Sequence, residues 1–108
     1  MRSTDVRGRL DLLILAVLNV GPAHGYAVIE ELRRRSAGAF DLPEGSVYPA
    51  LHRLEREGLL ASRWSEGPRR RRRIYRLTRR GRKEFERERE EWVLLAKAVA
   101  AVLEPTAA

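Results

Sequence analysis

A mainly α-helical fold with one small β-hairpin is what this sequence predicts, and three observations predict it. Four stretches place apolar residues at three- and four-residue steps, the period of a helical face. Two short stretches between the third and the fourth alternate instead, with the turn-forming "SEGP" between them. The chain has 108 residues, 44% of them hydrophobic and 34% charged, enough for one core inside a strongly charged exterior and short of a second core.

The first helix is read from "LDLLILAVLNV". Leu10, Leu13, Ile14, Val17 and Leu18 share one face, while Leu12, Leu15 and Ala16 fall on others. A helix apolar on several sides must be covered on several sides, so it is central or shared with a second subunit. Arg2, Arg7 and Arg9 precede it as they would in a secretory signal, but Asp11 and Asn19 interrupt the run and it is too short to span a bilayer. The expectation is a buried helix of a soluble cytoplasmic protein.

"VGPAHG" ends that helix, since Pro22 cannot continue it. "YAVIEELRRR" is the second helix, with Tyr26, Ile29 and Leu32 on its apolar side, and His24 serves the turn before it. "SAGAFDLPEG" is a loop that Phe40 and Leu42 tuck onto the core. In "SVYPALHRLEREGLL", Ser46 is the expected N-cap, Pro49 falls in the first turn, and Gly58 is the stop. Val47, Leu51 and Leu54 point inward; Tyr48, His52, Arg53 and Arg56 point outward.

"LLASRW" and "RRIYRLT" are the two strands, and Trp64 is expected to pin the hairpin to the helices. From Arg82 the helical period returns. Phe85, Trp92 and Val99 repeat every seven residues, with Leu95 and Val102 between them, a heptad-like stripe. We divide the chain into residues 1–81, residues 82–104 as a C-terminal dimerisation helix, and a tail at 105–108.

The formal net charge is +7, and its placement is more telling than its size. Residues 69–83 hold nine arginines, Arg69 to Arg73 consecutively, plus Lys83 and no acid, which makes ten of the 22 basic residues. Lying on a hairpin arm, such a patch is an electrostatic footprint for phosphates. Cysteine is absent and there are two histidines, a poor basis for a metal site or for a nucleophile with its base. No enzyme and no cofactor are expected.

Three helices followed by a hairpin form a winged helix-turn-helix, which lays its third helix in a DNA major groove and its hairpin against the flanking backbone. Ser46, Tyr48, Pro49, His52 and Arg53 are the candidate groove contacts, and Arg69, Arg70, Arg71, Arg72 and Arg73 the candidate backbone contacts.

"HGYAVIEEL", "GSVYPALHRLEREGLL" and "GPRRRRRIYRLTRRGR" resemble, in order and spacing, the three signatures of the PadR family of bacterial transcriptional regulators. The resemblance covers residues 10 to 103, and the single last helix resembles the short subfamily. It implies a homodimer in which the last helix of each subunit packs on the first helix of the other, here through Leu15, Phe85, Trp92, Leu95, Val99 and Val102. It also implies a cavity for a flat aromatic effector, with Trp92 at its centre and Leu12, Ala16, Leu95 and Ala96 as walls. The function so implied is a sequence-specific regulator of a double-stranded operator, a repressor released by that effector. The alternative is an architectural protein that coats DNA without an effector.

Overall fold

The computed structural model describes residues 9–67 and 71–105, with elements α1 (Leu10–Val20), β1 (Ala23–His24), α2 (Gly25–Arg35), α3 (Glu44–Arg56), β2 (Leu60–Trp64), β3 (Arg73–Leu77) and α4 (Arg79–Leu103). Helix α1 is central: it packs against α2, α3, α4 and β3. Leu12, Ile14, Leu15, Val17 and Leu18 are all buried, which is why the segment is apolar on more than one face.

Val28, Ile29 and Leu32 of α2 and Val47, Ala50, Leu51 and Leu54 of α3 close the core from one side. Tyr26 is not part of that stripe. The residue is 55% exposed, because the buried face of α2 runs through Gly25, Val28, Ile29 and Leu32. Gly25 is required by its neighbour: a Cβ there would stand 2.6 Å from Cε1 of Tyr48. Leu42 is buried and Phe40 partly so, as expected for the loop.

Helix α3 starts two residues before the expected Ser46. Pro43, extended at φ −78° and ψ 156°, is the N-cap, and its carbonyl accepts from the N–H groups of Ser46 and Val47. Pro49 therefore lies inside the helix, beyond the turn where its missing N–H would be free of cost. The carbonyl it deprives belongs to Gly45, and both residues are exposed, so solvent reaches the gap. The expected stop holds: Gly58 takes φ +82°, a left-handed position.

The hairpin is the larger part of a three-stranded antiparallel sheet in the order β1-β3-β2. Leu60 faces Leu77, Ser62 faces Tyr75 and Trp64 faces Arg73, while the two-residue β1 adds Ala23 opposite Tyr75 and His24 opposite Ile74. Leu60, Tyr75 and Leu77 bury the inner face.

Helix α4 begins at Arg79, not Arg82. Thr78 caps it, with Oγ1 accepting from the Gly81 N–H at 3.0 Å and donating to the Gly58 carbonyl at 2.7 Å. A Cβ on Gly81 would lie 2.0 Å from the Leu59 carbonyl oxygen, so glycine alone lets the helix start this close to the strand. Arg79, Arg80 and Arg82 thus stand on α4 and not on the hairpin. Phe85 is the last buried residue of α4. Beyond it the helix leaves the core, and the subunit measures 64 × 28 × 20 Å with a radius of gyration of 15.9 Å, against about 13 Å for a compact chain of this length.

Candidate nucleic-acid interface

The outer face of α3 carries Ser46, Pro49, His52 and Arg56, all exposed, in the order a groove-entering helix needs. Two other candidates on this helix are placed differently. Tyr48 is half-buried against Gly25 and the core, so it packs as well as borders the surface. Arg53 is held by Asp11 of α1, Nη2 donating to Oδ1 at 2.5 Å, and its Nη1 donates to Glu57 at 3.3 Å. The acid that interrupts the first helix in the sequence thus takes up a charge of the third.

Between α3, the start of α2 and the wing lies an open groove of about 620 Å³. Its walls include His24, Tyr26, Tyr48, His52 and Trp64, with Arg71, Arg72 and Arg73 along the wing side. Trp64 is not a core residue. It is 47% exposed, at the end of β2 that extends past the helices, with the guanidinium carbons of Arg71 and Arg73 at 4.7 and 5.1 Å from its ring centroid. Arg73 is further fixed by donating from Nε to Ser62 Oγ at 2.8 Å, while that hydroxyl donates to Glu55 at 2.6 Å.

The arginines of this chain fall into two electrostatic classes. Arg33, Arg34 and Arg35 of α2 pair with Glu30 and Glu31, so most of that charge is neutralised within the helix. The hydrogen bonds from Arg34 and Arg35 hold the Glu31 carboxyl down at about 2. Arg71 and Arg72 meet no carboxylate among the described residues. Their field is spent on whatever enters the groove. Arg69 and Arg70 lie outside the described residues.

His24 was expected at the turn before α2, and it caps that helix, Nδ1 accepting from the Ala27 N–H at 3.2 Å. Its Nε2 is 2.8 Å from Nη1 of Arg72. Burial first, and then the Arg72 charge, push its pKa below the ordinary histidine value. Histidine is not a favoured cap, and nothing in the spacing pairs it with the wing, so sequence reasoning assigned it no role at the interface.

The second candidate region is the far half of α4. Trp92, Leu95, Val99 and Val102 are exposed along one side, Trp92 by 43%, with Arg9 stacked over its ring at 5.1 Å. Ala96 is half-buried, as is Ala16 of α1, while Leu12 is 8% exposed. In this chain these residues form an open apolar face. Two expected seam residues do not belong to it: Leu15 is fully buried in the subunit's own core, and Phe85 anchors α4 to that core.

A recognition helix beside a cationic wing defines a winged-helix DNA-binding protein. Residues 14–87 match the transcriptional regulator PadR-like family, most of the chain, and the protein belongs to that family. A transcriptional regulator of Mycobacterium tuberculosis is 38% identical over 76 residues, which cover 70% of this chain and 68% of the relative. A transcriptional regulator from Clostridium thermocellum has a similar structure, with a TM-score of 0.86, 31% identity and coverage of 96% of this chain and 99% of the other. Bacillus subtilis PadR, solved in complex with operator DNA, shares the fold at a TM-score of 0.68 and 22% identity over 86% of this chain and 59% of that one.

Proposed function

We propose that this PadR-like regulator binds an operator in duplex DNA as a homodimer and acts as a repressor. The observation that carries the reading is the groove beside α3, where Arg71 and Arg72 stand without acidic partners among the described residues, next to the exposed face of Ser46, Pro49 and His52. A fold neighbour, Bacillus subtilis PadR, was solved in complex with operator DNA, which supports duplex DNA as the kind of partner. The apolar far half of α4 supports dimerisation, because a side chain such as Leu95 gains about 1 kcal/mol when covered. Two recognition helices then meet half-sites one helical turn apart, ~34 Å.

An aromatic effector enters this proposal at Trp92, with Leu12, Ala16, Leu95 and Ala96 around it. Such a ligand releases DNA only by binding one dimer geometry better than the other. Footprinting on the DNA upstream of the gene, with excess competitor DNA, tests the main reading: two symmetric protected half-sites are expected. Uniform protection favours the architectural alternative, to which the dense arginine run also points. Quenching of Trp92 fluorescence by flat aromatic compounds, lost in Trp92→Phe while the remaining emission of Trp64 is unchanged by the compound, tests the effector site.

A further inference from the structure

The contact between His24 and Arg72 contains a conflict of donors. A neutral imidazole has a single lone-pair nitrogen. At His24 both nitrogens face a donor, so one of the two contacts is unsatisfied in either tautomer; in the tautomer that keeps the α2 cap, Nδ1 accepts from the Ala27 N–H and the proton is on Nε2. The group 2.8 Å from Nε2 is the Arg72 guanidinium, which only donates. Two donors face one another at the wall of the groove, and the partner that satisfies both is an acceptor with several lone pairs and a negative charge.

The position of this pair says which acceptor. With α3 in a major groove and the wing beside it, the DNA strand that separates the two passes over the groove between them, lined here by Tyr48, Trp64 and Arg71 as well. Glu44 is the carboxylate on that lining, and it belongs to the first turn of α3. His24 is held neutral by its partial burial and by Arg72, which preserves the cap while leaving Nε2–H as the donor.

We propose that His24 and Arg72 form a two-donor seat for a single backbone phosphate of duplex DNA, Arg72 supplying charge and His24 a neutral hydrogen bond that fixes the phosphate between wing and α2. This rests on the DNA-binding reading above and adds to it a residue, His24, outside the recognition helix and the arginine run.

His24→Asn isolates the seat from the fold, because asparagine caps a helix well but is too short to present a donor where Nε2 stands. Binding to a mixed-sequence duplex of ~30 base pairs is measured over a salt series for wild type, His24→Asn, Arg72→Gln and the double variant, with thermal melting of each. His24→Asn is expected to lose about 5-fold in affinity for each bound chain, the size of one neutral hydrogen bond, with an unchanged salt slope and melting temperature. Arg72→Gln is expected to lower the slope by about 0.9 for each bound chain, about 1.8 for the proposed dimer. The double variant should lose less than the product of the two, since both act on one phosphate. Wild-type affinity in His24→Asn, losses that multiply, or a loss that follows a lower melting temperature would each overturn the seat. If the wild-type protein fails to bind the duplex at all, the DNA-binding reading itself is overturned and the seat with it.

Discussion

The groove beside the wing and the far half of α4 are both exposed, and they are exposed for opposite reasons. The groove pairs guanidinium groups with aromatic rings: Arg71 and Arg73 lie over Trp64, and Arg72 meets His24. Water solvates such a surface well, and a polyanion displaces the water and the counterions together. The far half of α4 presents Trp92, Leu95, Val99 and Val102, which water solvates poorly. A surface of the first kind is complete in one subunit; one of the second kind is complete when another apolar surface covers it.

The same contrast divides α4 along its length. Near Gly81 the helix touches backbone, its Cα so close to the Leu59 carbonyl that a methyl group has no room. Past Phe85 no residue of α4 is buried, and the stripe is covered only in part, Arg9 lying over the Trp92 ring. Introducing Leu95→Glu together with Val99→Glu therefore separates folding from association. On the proposed dimer it removes about 1 kcal/mol of burial at each of four sites, since both residues are about half exposed in each chain, a weakening on the order of 1000-fold, read as a monomer by sedimentation equilibrium while the helical circular dichroism remains. A dimer of undiminished strength in this variant would place the interface on another face.

The cationic surface breaks in a different way. Arg71→Gln with Arg72→Gln removes two charges per chain that are unpaired within the described residues, and the salt slope of DNA binding is expected to fall by about 1.8 per bound chain, about 3.6 for the proposed dimer, with more than roughly 10-fold lost in affinity near physiological salt. The oligomeric state should not change. If instead the slope stays and the sedimentation shifts, the division between the two surfaces is wrong.

Much of this division was readable in the sequence, because periodicity reports which face of an element is covered. The apolar run of α1 announced covering on several faces and the seven-residue stripe of α4 a covering with no partner in so short a chain, and the structure buries the first and leaves the second exposed beyond Phe85. What periodicity cannot report is where an element lies relative to the edge of the core. Trp64 reads as a core residue by composition, yet β2 has passed the helices by that point and the ring is capped by arginines. Leu15 and Phe85 read as seam residues, yet their helix faces turn inward. Strand β1 has two residues, too few for any period, so the sheet seemed to have two strands. Ser46 has good capping chemistry, but the buried Leu42 and extended Pro43 start the helix earlier.

Asp11 joins the two regions and gives a smaller, more discriminating test. Its carboxylate holds Arg53 of α3 from α1, the helix against which α4 packs. Asp11→Asn releases that guanidinium on the DNA-facing helix. The expected result is a modest loss of stability, about 0.5–1 kcal/mol for a half-exposed pair, together with roughly 2- to 3-fold tighter non-specific DNA binding and a steeper salt slope. Tighter binding from a destabilised variant would mark Asp11 as a residue that withholds charge from DNA; weaker binding would mean that the pair positions α3 for contact.

The smallest effect expected is a dependence of stability on pH set by the Glu84–Glu88 pair on α4. Partial burial is the first cause, and the hydrogen bond and charge of Glu84 follow; together with Asp11 they push the Glu88 carboxyl up to about 7. Glu84 moves the other way, lowered by hydrogen bonds from Arg87 and from the protonated Glu88. Because the folded chain binds this proton more tightly than the unfolded chain, whose glutamates titrate near 4.5, the contribution of Glu88 is fully present below that value. It is lost as the pH rises through about 7. Glu88→Gln keeps a neutral hydrogen-bonding group in its place, so stability above pH 7 should rise by a few tenths of a kcal/mol, the scale left after solvent screening. Urea unfolding at acid, neutral and mildly alkaline pH reads the difference: the variant should match the wild type below about pH 4.5, gain on it progressively toward pH 7, and hold that gain at the alkaline end. An equal gain at every pH would trace the effect to helix propensity and not to the shared proton.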